Sequence, residues 1–276
     1  MQRIAAFVML AASASVFLYS AACIAEDLPI EIDNTRVVFK EEDPSASVSV
    51  RNKGDIPYLV AINVTEFCGV GQQCPTTDDF MASPGFKIIR PGQVFPFRVV
   101  RIADKMPADR ESLYLVNFKI VPSEVQLTDK QLKSSRITVA LSGSMKLFWR
   151  PEALSGGLVS LRLLSQLESQ CTGNKLELIN RSAYWATLST VSANGKSLFP
   201  TGPLPMLAPF GNVSFSTDVC PREVTVAVID DSGMPSIEQI VQVTSSSCGV
   251  GREIWTCRFK HYRQSLRKPR VTAFHS

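Results

Sequence analysis

Three features of the sequence predict an all-β chain built as two sandwiches. Short runs rich in Val, Ile, Phe and Tyr recur with period two, and Gly, Pro, Asn and Asp punctuate them. No amphipathic helical stretch of comparable strength appears between Asp27 and Thr244. A length of 276 residues, 45% hydrophobic and 20% charged, is ordinary globular composition and makes two domains the natural division. Each has enough chain to bury a core without needing a metal or a dense disulfide framework.

The chain opens on Arg3 and an apolar run from Ile4 to about Ala22, closing with Cys23-Ile24-Ala25 before the acidic Glu26-Asp27. This reads as an export signal over residues 1–25, removed after Ala25. An uncleaved membrane anchor is the competing reading, diluted by Ser13, Ser15 and Ser20. A lipoprotein reading of Cys23 is weaker still, because Ser20 sits where a large aliphatic is usually wanted.

Strands are expected at 35–39, 46–51, 58–65, 95–102, 112–121 and 136–148, which fill a first domain over residues 26–150. Arg150-Pro151 reads as the joint, since proline stops a ladder and the segment 152–157 is short and turn-like. The second domain, residues 151–245, has expected strands at 175–180, 186–192, 212–216 and 224–229. Prolines at 200, 203, 205 and 209 exclude an interior strand from residues 199–211 and mark an edge or loop. Residues 246–276 form a tail.

The formal net charge of +4 is unevenly spread. From Arg252 onward seven basic residues stand against the single acid Glu253, so the tail carries +6 and the remainder −2. Its stretch from Arg258 to Arg270 could touch anionic lipid, although disorder is the expectation for such composition.

Seven cysteines stand at 23, 68, 74, 171, 220, 248 and 257, and loss of Cys23 with the signal leaves an even six, suited to an oxidising compartment. Sequence does not fix connectivity. Local pairs, Cys68 with Cys74, Cys171 with Cys220 and Cys248 with Cys257, keep one bridge per region. Cys68 and Cys74 enclose five residues, which is not the spacing of a dithiol oxidoreductase, so a structural staple is the reading.

Catalytic chemistry is poorly supplied. The only histidines, His261 and His275, lie in the tail, so a nucleophile and base pair within the sandwiches would need an unusual composition. No His, Cys, Asp or Glu set has metal-ligand spacing, and no phosphate loop is present. A nucleic-acid role would rest on the basic tail alone, and export argues against it.

The stretch Ile137 to Pro151 begins as an alternating strand, with Ile137, Val139 and Leu141 on one face, and then places Lys146 between apolar residues. On residues alone, that apolar face fits a closed core or an edge offered to a partner, and Lys146 could snorkel to solvent. Neighbouring motifs bear on the choice. Met106 to Ser123, with Asp33 to Phe39, Pro57-Tyr-Leu59, Ser83 to Phe86, Arg90-Pro-Gly92 and Lys146 to Pro151, resembles the periplasmic chaperones that assemble pili and fimbriae in the chaperone/usher pathway. Leu178-Ile-Asn180, Met206 to Pro209 and Ile229 to Gly233 are similar to that family's second domain, so the resemblance covers roughly residues 28–245. Leu115 and Phe118 depart from the usual residues while keeping the alternation.

The resemblance implies two immunoglobulin-like β-sandwiches set at an angle, and a non-enzymatic periplasmic chaperone without cofactor, metal, nucleic acid or small-molecule substrate. Its partners would be pilus or fimbrial subunits and an outer-membrane usher. Ile137, Val139 and Leu141 would complete the subunit as a donated strand, and the empty edge would invite self-association. Arg36 and Lys146 would hold the subunit's terminal carboxylate in the cleft between domains, as a guanidinium fork and a point charge suit. Glu111, Arg150 and Asp231 would form an ion network across the domain interface. The polar connection between Pro122 and Arg136 is longer than in compact members, yet no cysteine lies between 74 and 171, so the short-loop or long-loop subset stays open. The competing class is a secreted two-domain β-sandwich serving as a structural or adhesive surface protein, which would not need Arg36 and Lys146 to converge.

Overall fold

The computed structural model describes residues 28–69, 71–123, 140–199 and 204–245. The expected tail, the export signal, Ile137, Val139, Cys248 and Cys257 lie outside these residues.

Two sheets face each other in the first domain. One has the order β1 (Ile30–Ile32), β3 (Ala46–Asn52), β7 (Val94–Arg101), β5 (Phe80–Ser83). The other runs β2 (Arg36–Lys40), β9 (Leu141–Arg150), β8 (Ser112–Pro122), β4 (Tyr58–Glu66), β6 (Phe86–Ile89). Alternation explains why these segments are strands. Val48 and Val50 of β3 turn inward, as do Val60, Ile62 and Val64 of β4 and Tyr114, Val116, Phe118 and Ile120 of β8, while their odd-phase neighbours turn out. Met145, Leu147 and Trp149 of β9 complete this core. Burying each such side chain contributes about 1.5–3 kcal/mol.

The second domain forms one curled sheet with the order β13 (Lys196–Ser197), β12 (Ala186–Ala193), β16 (Glu223–Val228), β17 (Gln239–Ser245), β10 (Leu167–Thr172), β11 (Lys175–Asn180), β15 (Asn212–Ser216). Strand β17 makes the curl possible, running antiparallel to β16 and parallel to β10. Leu176, Leu178, Leu188, Val224 and Val226 fill its separate core.

Two expectations need correction. The segment 152–157 is a 3-10 turn and bends, as expected, but the stretch read as free of helix holds a six-residue one, α1 (Val159–Leu164), which buries Leu163 and Leu164. One and a half turns are too short to show a helical period. The strand expected at 136–148 runs instead from Leu141 to Arg150 within the described residues, so Trp149 and Arg150 belong to the ladder. Among the described residues of the proline-dense segment, β14 (Met206–Leu207) forms the one strand and joins β12 off the main path.

Candidate cleft between the two sandwiches

Strand β2 lies parallel to β9, and Arg36 is the direct register partner of Lys146. Even-numbered residues of both strands turn away from the core, so Arg36, Lys146, Phe148 and Arg150 share the face opposite Leu147 and Trp149. Arg36 reaches the second domain, where its Nη1 donates to the Ile229 carbonyl at 3.0 Å. Its guanidinium lies 5.5 Å from the centroid of the Phe148 ring.

Neither cation has an ion-pair partner among the described residues. Arg36 Nε is buried and has no hydrogen-bond acceptor among the described residues. Burial pulls the Arg36 guanidinium below its ordinary pKa, against the raising charges of Asp231, Asp230 and Glu111. Burial also pulls Lys146 down, and the like charge of Arg36 adds to it. Two half-buried cations held side by side repel one another, and an anion with acceptor oxygens would relieve that repulsion.

The strand carrying Lys146 is only partly paired. Strand β2 covers Lys146 to Arg150, whereas Leu141 to Met145 has β8 as its one neighbour among the described residues. Pairing with β8 runs unbroken from Ser112 opposite Trp149 to Ile120 opposite Leu141, so Gly143 introduces no bulge. Leu141 is therefore in phase with Met145 and Leu147, and it packs, partly buried, against the domain's own core.

Glu111, Arg150 and Asp231 meet in one network. Arg150 Nε donates to Glu111 Oε1 at 2.7 Å, and its terminal nitrogens donate to the two Asp231 oxygens at 2.6 and 2.8 Å. Glu111 also accepts from the Trp185 amide at 2.8 Å, and its own amide donates to the Ala183 carbonyl. Burial pushes the Glu111 carboxyl up from its ordinary pKa, against the pull of Arg150. Burial alone would lower Arg150, yet hydrogen bonding to Asp231 and the charge of Glu111 leave it raised. Phe67 stacks edge-on against Trp185 and Gly233 packs on Thr35, so the domains touch through several contacts beyond the ion network.

Cys68 is bridged to Cys74 and Cys171 to Cys220. Among the described residues no His, Cys, Asp or Glu cluster could hold a metal ion. Sequence reasoning passed over Ile229, Trp185 and Phe148. The first two act through backbone groups, which leave no residue signature, and Phe148 reads as ordinary strand core.

Comparison with known proteins places this geometry. Residues 29–155 match the family model described as pili and flagellar-assembly chaperone, PapD N-terminal domain, and residues 162–240 match pili assembly chaperone PapD, C-terminal domain. The fimbrial chaperone YbgP of Escherichia coli (strain K12) is 32% identical over 194 residues, covering 68% of this chain and 76% of that one. Among solved structures, the E. coli chaperone DraB is 26% identical with a TM-score of 0.65, over 77% of this chain and 98% of that one. The Salmonella enterica SafA pilin in complex with the SafB chaperone gives 26% identity and a TM-score of 0.66, over 79% and 97%.

Proposed function

The chain belongs to the pilus-assembly chaperone family, and we propose that it binds fimbrial subunits in the periplasm by lending them a strand. The reading rests on one observation: Arg36 and Lys146, neither with an ion-pair partner among the described residues, stand side by side on a strand whose Leu141–Met145 half has one neighbour among those residues.

The two features suit one ligand. An edge with no second neighbour among the described residues would offer backbone hydrogen bonds to an incoming strand, and Leu141, with Ile137 and Val139 at alternate positions before it in the sequence, would supply aliphatic side chains. Burial of each aliphatic would contribute about 1.5–3 kcal/mol. A strand added parallel to β9 would bring its C-terminal carboxylate toward Lys146 and Arg36, whose ammonium and guanidinium would donate to it. The relative SafB, seen with the SafA pilin, supports a pilin-type client. Handing the subunit to an outer-membrane usher completes the role, and the ion network of Glu111, Arg150 and Asp231 would keep the two domains at a working angle.

The test is co-purification from periplasmic extract with tagged wild type, Arg36→Ala and Lys146→Ala, followed by mass spectrometry. Wild type should retain a small β-rich subunit that both variants lose. Removing one partner of such a charged contact should weaken binding by about 2–5 kcal/mol. An identical partner on all three proteins, or none on the wild type while subunits are expressed, would overturn the reading.

A further inference from the structure

A groove of about 770 Å³ lies over the outward face of β4, β8 and β9. Its floor is mixed: the polar side chains are Asn63 from β4, Asn117 and Lys119 from β8, and Ser142 and Ser144 from β9, set among apolar surface that includes Ala61 and Leu115. Phase explains this, since these residues alternate with the inward Val64, Phe118 and Met145. Its wall is the segment carrying Gln72, Gln73 and Cys74, folded back over the sheet. Three contacts hold that wall: the Cys68–Cys74 bridge, the pairing of Thr65 with Thr76, and the stacking of Phe67 on Trp185 of the second domain.

Two features of position identify what occupies the groove. Ser142, Gly143 and Ser144 line it and also belong to the open-edged half of β9. At its other end it reaches Leu115, the register partner of Lys146. The groove is therefore continuous with both parts of the proposed subunit contact.

We propose that it receives a second segment of the bound subunit, an extended polar stretch with an acidic side chain opposite Lys119. The assignment rests on the chaperone reading above and adds to it a site that discriminates between subunits. Carboxamides and hydroxyls pair readily with an extended backbone, whereas an apolar segment would desolvate Asn63, Asn117, Gln72 and Gln73 without replacing their hydrogen bonds with water. Lys119 is the one charged side chain of the lining, is exposed, and has no ion-pair partner among the described residues. Its ammonium selects an acid and disfavours a base.

The experiment uses the subunit retained by the wild-type chain. Affinity is measured for wild type, Lys119→Glu, the double variant Cys68→Ser/Cys74→Ser and Arg36→Ala, at low and at high salt. A photo-crosslinking residue replaces Ser144 in parallel. Lys119→Glu should weaken binding on the order of tenfold and flatten its salt dependence, and the double variant should lose several-fold. The crosslink should fall on a subunit segment that contains Asp or Glu. If Lys119→Glu binds as tightly as wild type while Arg36→Ala fails, the groove is not a contact and the chaperone reading stands. A crosslink to a second copy of this chain overturns the assignment as well. Failure of the wild type to retain any subunit overturns both.

Discussion

Arg150 and Glu111 pair at 2.7 Å with side chains only 5% and 1% exposed, so a guanidinium and a carboxylate are sealed together where the two sandwiches meet. Asp231, the third member, keeps 48% of its side chain in solvent.

That difference orders the effects of substitution. Arg150→Met strands the Glu111 charge in the interior and should cost about 3–5 kcal/mol. Asp231→Asn leaves the buried pair intact and should cost about 1 kcal/mol or less. Urea unfolding of the two variants checks the order, and equal losses would contradict it.

Lys146 should make subunit binding pH-dependent. Its pKa is depressed in the free protein by burial and by Arg36, so over the interval below the ordinary lysine value of 10.5 the unfolded chain holds more protons than the folded one. Stability therefore rises as pH climbs through that interval. A bound carboxylate pushes the pKa back up, so complex formation takes up a proton there and affinity falls as pH rises. Calorimetry in two alkaline buffers of different ionisation enthalpy, using a peptide with the subunit's C-terminal residues, should show proton uptake that Lys146→Met abolishes.

The two disulfides should differ in their effect on stability. Cys171 and Cys220 are 49 residues apart and Cys68 and Cys74 only 6. Loop entropy alone assigns about 4 kcal/mol to the first bridge and about 2 kcal/mol to the second. Cys171→Ser/Cys220→Ser should therefore lower the unfolding midpoint more than Cys68→Ser/Cys74→Ser.

Gly233 sits at φ +87° with Thr35 against it, whereas Gly195 sits at φ +73° with open space around it. Alanine at either position bears the left-handed backbone cost of about 1–2 kcal/mol. Only at Gly233 does the new methyl also meet the first domain. Gly233→Ala should therefore destabilise more than Gly195→Ala and broaden the range of interdomain angles seen by small-angle scattering.

The longer strands were legible because alternation over five or more residues is hard to produce otherwise. The segments 175–180 and 212–216 begin and end where the sequence suggested. Elements of two or three residues, such as β1, β13 and β14, offer too few positions for a period to show. Helix α1 was hidden for the same reason. Within the cleft, Arg36 and Lys146 are 110 positions apart in the chain, and only family resemblance suggested their meeting. That they are register partners across a parallel ladder is a property of pairing, which no single-chain pattern contains. The groove was invisible for a related reason: Asn63, Asn117 and Ser144 each read as the solvent side of an ordinary strand, and it takes the fold to place them side by side.

If the proposed reading holds, the half of β9 that has a single neighbour among the described residues would also act as a ruler. A carboxylate held beside Lys146 would be the zero mark, and each residue back from it would advance about 3.4 Å along that edge. Side chains point alternately to the two faces, so such a ruler would distinguish odd counts from even ones. Deleting a single residue from the end of a subunit would keep its composition and hydrophobicity nearly unchanged, yet turn every aliphatic side chain of its last strand to the wrong face. On the proposed reading a subunit would thereby be recognised by how far its apolar residues lie from its end, and a frame error of one would be as disqualifying as the loss of all of them.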